Sequence, residues 1–343
     1  MKILVAGGAG YIGSHMVQAL RSADCDVLVL DDLSGGHRDA VRGAELVVGS
    51  LADRALLDQL LGAQRFDAVM HFASFIQVGE SVREPAKYYR NNLINTLNLL
   101  DAMVAHRVQR FVFSSTAAIF GEPQRTPIDE GHPALPINPY GQSKWMVERV
   151  LADYEAAYGL HSVCLRYFNA AGADAAAGLG ERHDPETHLI PLVLQAAAGK
   201  RAAISVFGND YDTPDGTCIR DYIHVMDLCD AHLLALKHLV SGKGSGRYNL
   251  GNGLGYSVQQ VIATARAVTG REIAVRHEAR RAGDPARLVA DSAQARRELG
   301  WQPQRADLAR IIADAWAWEQ RRPGAAAATA GHRCFNLPNK DHP

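Results

Sequence analysis

Tyr140 and Lys144 stand four residues apart in Pro139-Tyr140-Gly141-Gln142-Ser143-Lys144, and the chain opens on a glycine-rich loop, Gly7-Gly8-Ala9-Gly10-Tyr11-Ile12-Gly13. Positions i and i+4 share one face of a helix, so the Lys144 ammonium can lie beside the Tyr140 phenol and favour its ionised form. A phenol with an ordinary pKa of about 10 is a weak base at neutral pH, and a neighbouring cation brings it into a useful range. Such a pair also arises by chance on solvated helix faces. The glycine loop in the same chain turns the balance toward oxidoreductase chemistry.

Gly7, Gly10 and Gly13 follow an apolar strand and open a helix, the context that makes a glycine pattern specific for a dinucleotide. The first permits the tight turn, the second lets a pyrophosphate approach the backbone, and the third lets helix pack closely on strand. Amides at the helix start, around Tyr11 and Ile12, then face phosphate charge. Asp31 closes the second strand about 20 residues beyond the loop, where a carboxylate accepts bonds from ribose hydroxyls and repels a 2′-phosphate. NAD is therefore expected over NADP. Arg38 and Asp32 read as solvated surface neighbours. One hydroxyl from Ser114-Ser115-Thr116, at the carboxyl end of a central strand, completes a hydroxyl, phenol and ammonium triad.

The elements that must position these groups alternate apolar strands with amphipathic helices, which predicts an α/β fold with a doubly wound parallel sheet. Strands are expected at Ile3 to Ala6, Val27 to Leu30, Ala68 to Phe72, Arg110 to Ser114 and His161 to Tyr167. Helices are expected at Ser14 to Ser22, at Ala86 to His106 from the spacing of Leu93, Leu97, Leu100 and Val104, and from Pro139 to about Tyr158. Residues 1–169 thus form a dinucleotide-binding Rossmann domain, with segments near 220–250 returning to it. Ala170 to Pro185 reads as a loop into a smaller α/β lobe, 170–322. Its short elements include Ile204 to Phe207, Tyr248 to Leu250, the helix Ser257 to Val268 and a last helix from Ala306 to about Arg321. The Ala-rich residues 323–343 carry too few large apolar groups to pack and read as a disordered tail.

A length of 343 residues implies one large or two fused domains. A formal net charge of -1 gives no basic footprint for nucleic acid. The five cysteines, Cys25, Cys164, Cys218, Cys229 and Cys334, show no metal-type spacing, so no metal is expected and reduced thiols in a cytoplasm fit best. The chain starts directly on a strand, which leaves no room for a signal peptide, and no apolar stretch approaches the roughly 18 residues of a membrane helix.

On these residues the chain resembles the extended short-chain dehydrogenase/reductase superfamily and, within it, the UDP-glucose 4-epimerases, from Met1 to about Trp318. The segments that carry the resemblance are GGAGYIGSH at the start, HFASFIQVGESV from His71, SSTAAIFGEP from Ser114, NPYGQSK from Asn138, LRYFNAAGA from Leu165 and FGNDYDTPDGTCIRDYIHVMDL from Phe207. The last lies in the substrate lobe, where related enzymes vary most.

The resemblance implies that Thr116 bonds the sugar oxygen, Tyr140 is the acid/base and Lys144 bonds the nicotinamide ribose. Asn91, the Phe72-Ala73 backbone, Ser50, Leu51, Ser114 and Phe168 would line the NAD site. It further implies a uridine diphosphate site, with Asn169, Arg220 and Arg281 at the diphosphate, Asp284 at the ribose, Phe207 at the uracil, and His188 and Leu189 at the nucleotide. Planar guanidinium groups suit a diphosphate. The chain departs from the family at Ser50, where an Asp is frequent, at Ile76, where some members carry Lys, and at His188, where some carry Asn.

The implied reaction is C4 epimerisation of UDP-galactose and UDP-glucose through a bound 4-keto sugar. Tyr140 takes the 4-hydroxyl proton while NAD takes hydride; the keto sugar then turns over and receives the hydride on its other face. Related dehydratases carry an Asp-Glu pair just after the catalytic Thr, and here Ala117 and Ala118 stand instead. A non-catalytic NAD-sensing regulator could dispense with the Tyr/Lys pair, which is present. Leu288, where some members have Tyr, would border the sugar 2-substituent, leaving room for UDP-N-acetylglucosamine or UDP-N-acetylgalactosamine. The family also suggests a homodimer through the Ala86 and Pro139 helices.

Overall fold

The computed structural model describes residues 1–281 and 284–321. The Ala-rich segment expected to be disordered lies outside the described residues. At the centre are strands β1 (Lys2–Ala6), β2 (Asp26–Asp31), β3 (Glu45–Val48), β4 (Ala68–His71), β5 (Arg110–Thr116) and β6 (His161–Tyr167). With the strand Gly246–Leu250 they form a seven-stranded sheet in the order Gly246–Leu250, β6, β5, β4, β1, β2, β3. Every pairing in it is parallel. Ile3, Leu4, Val5 and Ala6 are all at 0% exposure, because helices cover both faces of a parallel sheet and β1 is an interior strand of it.

One face packs Met16, Val17 and Leu20 of helix Tyr11–Ser22 with Leu228, Cys229 and Leu236 of helix Val225–Val240. The other packs Leu57 and Leu61 with Leu99, Leu100, Met103, Val147 and Leu151. A third apolar cluster joins helices Leu189–Ala197, Val258–Thr269 and Leu308–Arg321 to the strand Ile204–Phe207. Strand order reverses at β1 and β4, so their carboxyl ends diverge and leave the crevice in which doubly wound folds bind ligands.

Several expectations need correction. Tyr248 to Leu250, expected among the elements of the smaller lobe but also within the 220–250 segments returning to the first domain, belongs to the main sheet, where Gly246–Leu250 runs beside β6. The helix expected from Ala86 to His106 is a helical turn at Pro85–Tyr88, a π-helical turn at Tyr89–Ile94 and an α-helix at Asn95–Ala105. The apolar period survives such an insertion, so periodicity alone does not reveal it. Helix Val78–Arg83 and strand β3 were not anticipated. Within the expected loop after β6, Asn169–Ala171 is a short strand paired in parallel with Tyr222–His224.

Candidate active site

The glycine loop is held by contacts that only glycine tolerates. Gly7 has φ +82°, and a Cβ there would sit 2.4 Å from the Ala73 amide nitrogen. A Cβ on Gly13 would sit 2.0 Å from the Gly7 carbonyl oxygen. Gly10 is the N-cap of helix Tyr11–Ser22, whose first-turn amides have no partner within the helix and present positive charge to the crevice. The residues therefore fit a bound pyrophosphate: the backbone is bare where a phosphate must approach and closed where helix meets strand.

Asp31 ends β2 with its carboxylate tied to the loop. Its Oδ2 accepts from Ala9 N and its Oδ1 from Leu33 N, both at 2.8 Å. Burial raises its pKa, while these amide bonds work against the rise. A carboxylate has about four acceptor positions, so lone pairs remain for a pair of ribose hydroxyls.

A cavity of about 680 Å³ runs from this loop across the carboxyl edge of the sheet. Near the loop its wall includes Tyr11, Ile12, Asp31, Ser50 and Leu51. Phe72, Ala73 and Asn91 follow, then Thr116, Tyr140 and Phe168. The wall also includes Asn169, His188, Arg220 and Leu288. Residues distant in sequence, expected at the cofactor, the reacting carbon and the nucleotide sugar, thus share one cavity.

Thr116 is the last residue of β5, and its Oγ1 accepts from Ala118 N at 3.1 Å, which fixes the hydroxyl at the sheet edge. Tyr140 and Lys144 lie on helix Pro139–Tyr158, which begins with Asn138 Oδ1 accepting from Gly141 N at 2.8 Å and with Pro139 in its first turn. Burial raises the Tyr140 pKa, and a hydrogen bond from Thr116 opposes that rise. Lys144 makes its hydrogen bonds to other groups. Its Nζ donates to Ser74 Oγ at 2.7 Å and to the Ser114 carbonyl at 2.9 Å, over the Phe113 ring. Burial pushes Lys144 down to about 7. The ammonium is thus fastened to the loop after β4 and to the end of β5.

Five more expected residues, Ser114, Leu189, Phe207, Arg281 and Asp284, are not among those lining the cavity. Ser114 turns its Oγ to His232 Nε2 at 3.1 Å, because alternate residues of β5 face opposite sides of the sheet. Leu189 packs in the third apolar cluster at the start of its helix. The Phe207 ring carries the Arg281 guanidinium at 3.8 Å. Asp284 pairs with Arg220 at 2.5 Å, holding that guanidinium at the cavity edge.

Other residues escaped the sequence reading. Asn92, in the π-helical turn, accepts from Phe75 N at 2.9 Å and donates to Phe75 O at 3.0 Å and Ser143 Oγ at 3.2 Å, locking the loop after β4 to the Tyr140 helix. Ser74 and Tyr167 line the cavity. Glu181, His183 and Glu186 converge beside Tyr11 together with His188, which the resemblance places at the nucleotide. Burial opposes charge on His188, yet Glu181 and Glu186 push its pKa up to about 10. Of these, only the alternation of Glu and His from 181 to 188 is a signal visible in the sequence.

The model of the NAD dependent epimerase/dehydratase family matches residues 3–251. The UDP-glucose 4-epimerase of Halalkalibacterium halodurans is 50% identical over 323 residues, covering 94% of this chain and 97% of that protein. The crystal structure of UDP-glucose 4-epimerase from Brucella ovis in complex with NAD is 50% identical, with a TM-score of 0.90, covering 92% of this chain and 97% of that one. The UDP-Glc/GlcNAc 4-epimerase of Campylobacter jejuni is 44% identical, with a TM-score of 0.82, covering 93% and 99%. The match extends through the glycine loop, the Tyr/Lys helix and the cavity between them, and the chain belongs to the NAD dependent epimerase/dehydratase family, among its UDP-glucose 4-epimerases.

Proposed function

We infer that this protein interconverts UDP-galactose and UDP-glucose by inverting C4 of the sugar, with NAD as its cofactor. The observation that carries the reading is that Thr116, Tyr140 and Arg220 share a single cavity with the glycine loop. Gly7, Gly10, Gly13 and Asp31 would hold the cofactor, and Lys144, anchored through Ser74 and Ser114, would face its nicotinamide ribose. Bound NAD supplies the acceptor for hydride from the sugar C4 and returns it to the opposite face.

Tyr140 moves the proton of the 4-hydroxyl, first as base and then as acid, and Thr116 orients that oxygen. The phenol needs help to ionise, since burial alone holds its pKa high. Arg220, Asn169 and Arg281 would clamp the diphosphate while the keto sugar turns over, and Asp284, His188, Leu189 and Phe207 would complete the nucleotide site. Ala117 and Ala118 in the cavity wall offer no acid for elimination at C5 and C6, which weighs against a dehydratase. Purified protein should convert UDP-galactose to UDP-glucose without added reductant; failure to do so with NAD bound overturns the reading.

Leu288 supports a second substrate class. It borders the cavity at the end of the short strand Arg287–Leu288, which runs beside Arg220. A leucine there leaves more room for a 2-acetamido group than a tyrosine would, so UDP-N-acetylhexosamines are proposed as further substrates.

The segregation of Ile190, Val193, Ile204, Ile262 and Ile311 into their own apolar cluster supports treating 170–322 mainly as the UDP-sugar lobe. Exposed Val82, Ile94 and Tyr158 on or beside the Ala86 and Pro139 helices support a homodimer through that face. Among the described residues no helix is long and apolar enough to cross a membrane. Cys25, Cys164, Cys218 and Cys229 are free thiols, which supports a cytoplasmic setting.

A further inference from the structure

We propose that Glu181, His183, Glu186 and His188 form a binding site for one divalent transition-metal ion, of the class that includes Zn²⁺. The ligand atoms of these four residues all lie within 4.8 Å of one another. His188 Nδ1 is 2.8 Å from Glu181 Oε1 and 3.0 Å from Glu186 Oε1. His183 Nδ1 is 3.0 Å from Glu181 Oε1 and 3.8 Å from Glu186 Oε2. An imidazole nitrogen carries at most one proton, directed along one line in the ring plane, so neither Nδ1 satisfies two carboxylates well. A cation at the centre of the four donors satisfies all of them together.

The donor set and its setting agree with that assignment. Two imidazoles and two carboxylates suit zinc and its first-row neighbours, whereas calcium and magnesium favour oxygen alone. Ligands about 2.0–2.2 Å from a tetrahedral ion stand about 3.4 Å apart, so the present spacings need only small adjustments. Both carboxylates are withdrawn from water, with side-chain exposures of 7% for Glu181 and 6% for Glu186. Glu186 Oε1 also accepts from the backbone amides of Thr187 and His188, at 2.8 and 2.9 Å, an outer shell that orients a ligand carboxylate.

Four protein ligands leave no open position, so the ion has a structural role. It cross-links the segment between the strand Asn169–Ala171 and the helix Leu189–Ala197. That segment supplies Glu181, His183 and His188 to the cavity wall, and the His183 ring meets Tyr11 of the glycine loop edge-on, 6.4 Å between centroids. Holding it in place closes the cavity over the cofactor loop. The cysteine pattern contains no sign of this site, because its ligands are Glu and His from one short stretch.

The test is titration of tag-free, chelator-treated, NAD-bound protein with Co²⁺, followed by visible absorption, with the metal content after gel filtration measured by mass spectrometry. One Co²⁺ per chain, with the intense visible bands of a four-coordinate ion that Zn²⁺ displaces, supports the proposal. Those bands should disappear in the double variant His183→Gln/Glu186→Gln. Where that variant does not fold, Glu186→Gln alone, which retains an acceptor for the two backbone amides, should bind about tenfold or more weakly. Absence of stoichiometric Co²⁺ and Zn²⁺ binding at millimolar metal, or bands that persist unchanged in the folded variant, overturns it.

Discussion

Ser115 Oγ donates to Glu148 Oε1 at 2.6 Å, joining the strand that ends at Thr116 to the helix that carries Tyr140 and Lys144. Glu148 lies one helical turn beyond Lys144 on the same face, and its carboxylate also receives Arg166 of β6 at 2.6 Å. The pair is almost wholly buried, with side-chain exposures of 0% for Glu148 and 5% for Arg166. Removing one partner leaves the other charge in a dry interior. Glu148→Ala should therefore destabilise the protein by about 3–5 kcal/mol in denaturant unfolding, and Glu148→Met/Arg166→Met should recover most of that loss. A single variant as stable as wild type would remove the network from this account.

Tyr140→Phe keeps the ring and removes the hydroxyl that moves the proton. Turnover of UDP-galactose should fall by about 10²-fold or more, with cofactor and nucleotide-sugar binding nearly unchanged. Turnover close to wild type would exclude the phenol as acid/base.

Asp31 holds two amides as well as facing the cavity, so its replacement has two separable effects. Asp31→Ala should narrow the preference for NAD over NADP, measured by competitive binding. It should also cost about 1–3 kcal/mol of stability, because the Ala9 and Leu33 amides lose their acceptor. Equal affinity of the wild type for the two cofactors would reject the ribose assignment.

Lys144 predicts a pH dependence in cofactor-stripped protein. Burial lowers its pKa to about 7, while in the unfolded chain it titrates near about 10.4. Between those values the unfolded state binds more protons, so stability rises with pH; it is greatest above the unfolded value and declines as pH falls through 7. Comparing melting temperatures of wild type and Lys144→Met from neutral to alkaline pH should show wild type gaining on the variant as pH rises. A constant difference would mean that Lys144 is not buried as described.

Leu288→Tyr should preserve turnover of UDP-galactose and lose turnover of UDP-N-acetylglucosamine, assayed side by side. No epimerisation of the N-acetylated sugar by wild type would end the second substrate proposal.

What was legible in the sequence is what neighbouring residues encode together. Gly7 and Gly13 report a turn that a Cβ would block, a short-range steric fact recorded within seven residues. The apolar runs of β1 and β2 report burial on both faces, and Tyr140 with Lys144 reports one helix face, so the parallel sheet, the cofactor loop and the phenol followed directly.

Tertiary structure decided which groups the reactive residues actually meet. Lys144 is bonded to Ser74 and Ser114, 70 and 30 residues away, rather than to the phenol one turn behind it. Arg220 is held by Asp284 across 64 residues, and Gly246–Leu250 joins β6 at the sheet edge across about 80 residues of intervening chain. Even the alternating Glu and His residues at 181–188 became a cluster only through the path of an irregular segment packed beside Tyr11. Periodicity and motif spacing describe the chain along its own axis, whereas these contacts depend on how distant segments pack, on which local patterns carry no information.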